Sequence, residues 1–267
     1  MYSVTIVTIV LNDVKRIEGT VLSVLSQTYK DKEIIVVDGN SIDGTKDVIH
    51  KYKDKVTLFI SEPDKGLYDA MNKAISAASG EWIIFINSGD KFYSDRVLEE
   101  IFLKGINPET CFIYGSHQAV YPNGLSIVST PGSLSAIWKG MQFCHQSLFV
   151  KLDYIKANMF DIRYKMCADF NLIYSAYAKG VGFLKVDEVV SSVTTEGLSD
   201  RNRLNTIMEY WQIAKKYKYS PVVDFYYFGK LFYVFIILQI KRLMPESLVY
   251  VMIKLKSRVT RSIREKS

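Results

Sequence analysis

The stretch SEPDKGLYDAMNKAISAASGEWIIFINSGD, residues 61–90, decides the fold. Its first half places apolar residues at helical spacing over residues 66–78 and stops at Ser79-Gly80, a natural helix end. Residues 81–86 that follow are a short run rich in aromatic and β-branched side chains, the pattern of a strand buried on both faces. The polar cluster Asn87-Ser88-Gly89-Asp90 then ends that strand. A helix feeding such a largely apolar strand is half of a βαβ unit, and such units build parallel sheets with helices on both faces.

The same grammar extends toward the N-terminus. Strands are predicted at residues 3–10, 32–37 and 55–60, with helices over 14–26 and 44–52. In the first helix Ile17, Val21, Val24 and Leu25 share a face, and Asn12 or Asp13 is placed to cap it. Beyond Asp90 the pattern loosens into a helix over 95–103, a strand at 111–114, and a Pro/Gly/Ser-rich hairpin and loop over 122–135. A helix over 168–179 precedes strands at 182–186 and 189–194, and from Asp200 onward the chain reads as helical, broken at Pro221 and Pro245.

Composition narrows the class. With 267 residues, 48% hydrophobic and 23% charged, the chain is neither disordered nor collagen-like. Cys111, Cys144 and Cys167 are too few and too far apart for a disulfide framework or a CxxC metal site, and read as three buried thiols in a reducing compartment. Residues 241–267 hold eight of the 34 Lys and Arg but only Glu246 and Glu265 among the 28 acids, so the net +6 belongs to that tail. A neutral body with a basic, apolar tail suggests an anionic membrane surface as partner, and no nucleic acid. The apolar opening, residues 4–11, lacks a basic flank and a cleavage site and reads as a strand rather than a leader. Residues 231–240 are ten apolar positions between Lys230 and Lys241, short of the about 20 that a spanning helix needs.

In an open α/β sheet ligands bind beyond the carboxyl ends of the strands. Two polar clusters fall there, Asp38 to Thr45 after the second strand and Asn87 to Asp90 after the fourth. Neither is GxGxxG or a P-loop. Asp38 follows four apolar residues to the sheet edge and is read as a ligand contact; Asp43, just before Gly44-Thr45, is read as a helix cap.

The segments VTIVLN (7–12), VVDGNSIDGT (36–45), residues 61–90, FCHQSLF (143–149) and CADFNLI (167–173) together resemble the family 2 glycosyltransferases of the GT-A fold. The branch resembled is that of the bacterial enzymes of O-antigen, colanic acid and related capsular or lipopolysaccharide synthesis. The resemblance is dense over residues 1–90 and patchier to about 200. It implies an α/β GT-A fold with a Rossmann-like, mostly parallel central sheet flanked by helices and a C-terminal helical extension. Residues 1–220 would form the catalytic domain, with a nucleotide-sugar half (1–115) and an acceptor half (116–220), and 221–267 a membrane-associating tail.

The resemblance also implies a UDP-sugar donor, Mn²⁺ or Mg²⁺, and inverting, β-forming transfer to a hydroxyl. Thr8 and Asp38 would contact uracil, with Asp64 and Asp69 beside the nucleotide; Lys65 would hold the diphosphate or simply be exposed. Tyr68 and Met71 read as packing residues. Asn87-Ser88-Gly89-Asp90 stands in the place of the family's DxD motif, with Asn87 and Ser88 on the donor and Asp90 as the remaining carboxylate for a cation. Asp169 matches the catalytic base, although a helix N-cap calls for the same residue. His145 and Gln146 would line the acceptor side, a histidine in a purely structural role being the alternative. The loop Glu196 to Arg201 resembles one that folds over the donor. The processive QxxRW signature is absent from the sequence, so one sugar per encounter is expected.

The function implied is transfer of glucose or galactose to a lipid-diphosphate-linked saccharide such as GlcNAc-diphosphoundecaprenol, by a peripheral enzyme on the cytoplasmic face of the bacterial inner membrane. The alternatives are a non-catalytic GT-A-like sugar-nucleotide-binding protein and another nucleotide-binding α/β protein. A nucleotidyltransferase would need a Gly/Arg/Lys-rich loop after strand one, where Leu11-Asn12-Asp13 stands.

Overall fold

Strands β1 (Val4–Val10), β2 (Lys32–Asp38) and β4 (Trp82–Phe85) are apolar on both faces because both faces are covered by helices. The computed structural model describes residues 2–195 and 202–243. The expected donor loop Glu196 to Arg201, the break at Pro245 and most of the basic tail lie outside them.

Alternation along the strands sorts the helices into layers. Val7 and Ile9 of β1 and Ile35 and Val37 of β2 pack with Met71, Ala74 and Ile75 of α3 (Leu67–Ala77). On the other face Val10 and Val36 pack with Ile17 and Val21 of α1 (Ile17–Leu25) and Ile49 of α2 (Thr45–His50). Trp82 and Ile84 meet Leu98 and Phe102 of α4 (Val97–Phe102).

The sheet is mixed rather than mostly parallel. β1 pairs in parallel with β2 and β4, and β2 with β3 (Leu58–Ser61). Past β4 the partner is β8 (Leu148–Lys151), antiparallel, which also runs antiparallel to β6 (Thr110–Val120). The reason is the connection: β6 turns directly into β7 (Ser126–Ser129) as a hairpin, and β8 follows a 3-10 turn at His145–Ser147. No α-helix forms over residues 121–147 to carry the chain back for another parallel strand.

β9 (Gly182–Thr194), expected as two strands, is one strand parallel to β6 with a shift in register opposite Gly115 and Ser116. Gly115 permits the shift, since a Cβ there would stand 2.6 Å from the Glu188 carbonyl. The two-residue β5 (Lys91–Phe92) pairs with its far end.

After β8 come α5 (Leu152–Ala157) and α6 (Ala168–Ala178), then α7 (Arg203–Tyr217) and α8 (Pro221–Leu243). Pro221 opens α8 instead of interrupting a helix, a position where its missing N–H costs nothing. The apolar stretch expected as ten residues is therefore part of a helix whose segment Pro221–Ile240 is long and apolar enough to cross a membrane by length and composition. One face of it is committed elsewhere: Val223, Tyr227 and Val234 are buried in the core shared with α6 and α7. Of the cysteines, Cys167 is buried while Cys111 and Cys144 are half-buried, and all three are free.

Candidate active site

A cleft of about 640 Å³ opens beyond the carboxyl ends of β1 and β4. The segment after β1 contributes Leu11-Asn12-Asp13, the one after β4 contributes Asn87, Ser88 and Asp90, and His145, Gln146 and Asp169 complete the lining. The six side chains Asn87, Ser88, Asp90, His145, Gln146 and Asp169, expected from two distant halves of the sequence, thus line one space.

Asp169 stands in the first turn of α6, whose N-cap position is Cys167. Ahead of it the amides of Lys165, Met166 and Cys167 donate to the Glu209 carboxylate of α7, each at 2.9 Å. Asp169 has partners of its own. His145 Nδ1 lies 3.2 Å from its Oδ2, and the Phe170 amide donates to its Oδ1 at 2.8 Å. The Tyr68 hydroxyl is 2.8 Å from Oδ1 and 2.9 Å from the Met166 carbonyl; with one proton to give, it favours the charged acceptor. Tyr68 therefore does more than pack, whereas Met71 is a core residue at 1% exposure.

Electrostatics follow from these contacts. Burial works against the Asp169 carboxylate, but His145, Tyr68 and the Phe170 amide outweigh it and hold its pKa below the ordinary value. Burial likewise disfavours a charged His145, yet the hydrogen bond and charge of Asp169, with the charge of Asp90, raise its pKa overall. Behind the pair is a small apolar space lined by Phe85, Leu148 and Phe160, so little water screens it. His145 Nε2 is buried and has no hydrogen-bond partner.

Asn87, Ser88 and Asp90 line the same cleft as Asp169. Asp90 is 6% exposed and turned inward: Gln146 Nε2 donates to Oδ2 at 2.9 Å and the Thr194 amide to Oδ1 at 3.1 Å. Burial lifts its pKa to about 6 against the pull of these donors and of the His145 and Arg16 charges. Gln146 is consequently a strut for Asp90, and Ser88 donates to Asp13 at 2.7 Å.

For a divalent cation these residues offer Asp90, whose oxygens each keep a lone pair, and Asn87 Oδ1, which is buried and unpartnered. Among the described residues no three His, Cys, Asp or Glu side chains cluster to hold a metal. The set fits a cation that arrives with phosphate oxygens of its own, not one held by protein alone.

The remaining expected donor residues stand apart from the cleft lining. Thr8 is buried inside β1 at 1% exposure. Asp38 is wholly buried, its Oδ2 accepting from the Ser41 amide at 3.0 Å and the Ser61 hydroxyl at 2.7 Å, while Oδ1 has no partner. Asp64 adjoins it, since a Cβ on Gly39 would lie 2.5 Å from Asp64 Oδ2 and 3.2 Å from Leu11, which does line the cleft. Asp64 accepts from the Gly66 amide and Asp69 from the Lys65 amide, both closing the first turn of α3. Lys65 is exposed.

Asp43 accepts from the Thr45 amide and hydroxyl and from the Val14 amide, tying the start of α2 to that of α1. Asn12 and Asp13 do not cap α1; Asp13 instead turns its carboxylate to Ser88 and Arg16. Sequence reading gave Asp13 only a capping role and missed Arg16 and Glu209, the first ahead of α1 and the second in the middle of α7, which look like ordinary surface charges until the fold brings their partners beside them.

Residues 5–158 match the family model described as glycosyl transferase family 2. An uncharacterized glycosyltransferase of Mycobacterium tuberculosis is 32% identical over 182 residues, covering 65% of this chain and 68% of that protein. Among solved structures, Staphylococcus aureus TarS 1–349 with UDP superposes at a TM-score of 0.64 with 18% identity, over 79% of this chain and 64% of that one. The mannosyltransferase PcManGT of Pyrobaculum calidifontis with GDP-Man and Mn²⁺ gives 0.65 with 15% identity, over 86% of this chain and 69% of that one. At these identities the structural likeness is one of fold.

Proposed function

This chain belongs to glycosyl transferase family 2, and on that premise we propose that it moves a sugar, glucose or galactose, from a UDP-sugar to a hydroxyl of a lipid-diphosphate-linked saccharide, with inversion. The observation that carries the reading is that a buried, ionised Asp169 lines one cleft with Asn87, Ser88 and Asp90. The acceptor proton passes to Asp169 Oδ2, which holds only the His145 contact while Oδ1 holds two. The acceptor oxygen bonds to the anomeric carbon as the bond to UDP breaks.

Asp38 Oδ1, an acceptor with nothing to accept, supports a base contact at the far end of the donor. Mn²⁺ or Mg²⁺, entering with the diphosphate, would be held by Asp90 and Asn87 and would neutralise the leaving group. GlcNAc-diphosphoundecaprenol is the acceptor proposed, met at the cytoplasmic face of the membrane. α8 supports that location: Phe225, Phe228 and Phe232 are more than half exposed on the side away from the core.

A screen of UDP-sugars against a synthetic GlcNAc-diphosphate lipid, with linkage read by NMR, tests the reading. One β-linked sugar per acceptor is expected. Donor binding without transfer or hydrolysis would mark a non-catalytic relative.

A further inference from the structure

A nucleoside diphosphate brings two or three negative charges into a cleft that already holds Asp13, Asp90 and Asp169. Among the described residues lining that cleft, one carries a permanent positive charge, Arg16. The lysine expected to hold the diphosphate, Lys65, is not on the lining.

Arg16 is arranged for the task. Its Nε donates to both oxygens of Asp13, at 2.9 and 3.0 Å, and Asp13 in turn accepts from Ser88. The guanidinium is thereby fixed over the Asn87–Asp90 turn. Its Nη1 lies 3.2 Å from where a Cβ on Gly89 would stand, so the absence of a side chain at 89 makes room for it. Gly89 has φ +94°, which few other residues would adopt there. Nη1 and Nη2 make no hydrogen bond with the described residues, and the side chain is 57% exposed. Toward the described residues four N–H donors in a planar fork therefore remain free on the cleft lining, a match for paired phosphate oxygens.

We propose that Arg16 is a diphosphate-binding residue of this chain, supplying positive charge of its own at the Asn87–Asp90 turn, beside the cation that would enter with the diphosphate. Asp13 is its positioning residue. The inference rests on reading the cleft as a nucleotide-sugar site, and the test separates the two.

The affinities of the full-length protein for UDP, uridine and inorganic pyrophosphate are measured by calorimetry in excess EDTA, for wild type, Arg16→Met and Arg16→Lys. Arg16→Met should weaken UDP and pyrophosphate roughly 10- to 100-fold and leave uridine unchanged, with an unaltered thermal transition because the side chain is exposed. Arg16→Lys keeps the charge without the fork and should recover part of the loss. Unchanged UDP and pyrophosphate affinity in Arg16→Met, or an equal loss for uridine, overturns the proposal. If the wild type binds pyrophosphate but neither UDP nor uridine, the nucleotide reading fails, and the pyrophosphate difference between wild type and Arg16→Met still decides the role of Arg16.

Discussion

An aspartate at the start of a helix can cap it or keep its carboxylate for something else, and Asp169 divides the two between its oxygens: Oδ1 accepts the first-turn amide of Phe170 while Oδ2 meets only His145. Asp169→Asn should therefore leave the helix and UDP binding intact while transfer falls by about 10² to 10⁴, the amide being unable to take a proton. Steady-state rates beside UDP titration check this; a near-normal rate would pass the base to His145. Asp90 allows a stability test. Its pKa is raised to about 6, so the fold binds this proton more tightly than the unfolded chain does, where the ordinary value is 3.8. The stabilisation is complete below that ordinary value and disappears as pH climbs through about 6. Asp90→Asn, with Gln146 turning its amide to meet the new one, should match wild type in unfolding free energy near pH 4 and exceed it above pH 6, by at most about 3 kcal/mol. Denaturation of both proteins across that range would show the gap open with pH; a constant gap would mean that Asp90 is charged in the fold throughout.

The element on which the site depends most is α6, whose first turn is held from another helix. Glu209→Ala leaves the amides of residues 165–167 without their charged acceptor, and a loss of about 1–3 kcal/mol is expected. Because those residues also set the backbone of Asp169, kcat should fall with little change in UDP affinity. Thermal melts and kinetics of the variant read both effects; a fall in kcat without a lower melting temperature would make Glu209 part of the chemistry instead. α3 has the same logic at smaller scale, since Asp69 and Asp64 close its first turn from within their own segment. Short-range capping of that kind is written in the local sequence, whereas Glu209 is 40 residues from Asp169 and carries no local sign of its partner.

At the scale of the whole molecule, α8 is both part of the body and part of its outer surface. Tyr227 is fully buried and its hydroxyl donates to the Trp138 carbonyl at 3.0 Å, while Trp211 Nε1 donates to Asp224 at 2.7 Å. Cutting the chain at Pro221 would thus remove core as well as tail. Replacing Phe225, Phe228 and Phe232 together by Ser spares that core, and it should abolish sedimentation with anionic vesicles without lowering the melting temperature. Vesicle binding equal to wild type would leave α8 with a structural role only. The sequence by itself determined the first 90 residues, the strand ends and the helix that Asp169 begins, because local periodicity and short capping motifs persist whatever surrounds them. It read two thiols as buried that are half-buried, and the mostly parallel sheet that the family resemblance implied is mixed past β4, where β8 runs antiparallel to both β4 and β6. Only the tertiary structure decided that Asp90 turns inward, that Glu209 holds the amides of residues 165–167, and that Arg16 lies over Gly89. Each of these depends on which distant partner satisfies a charge, and a charge takes its partner from neighbours in space, which the order of residues along the chain does not record.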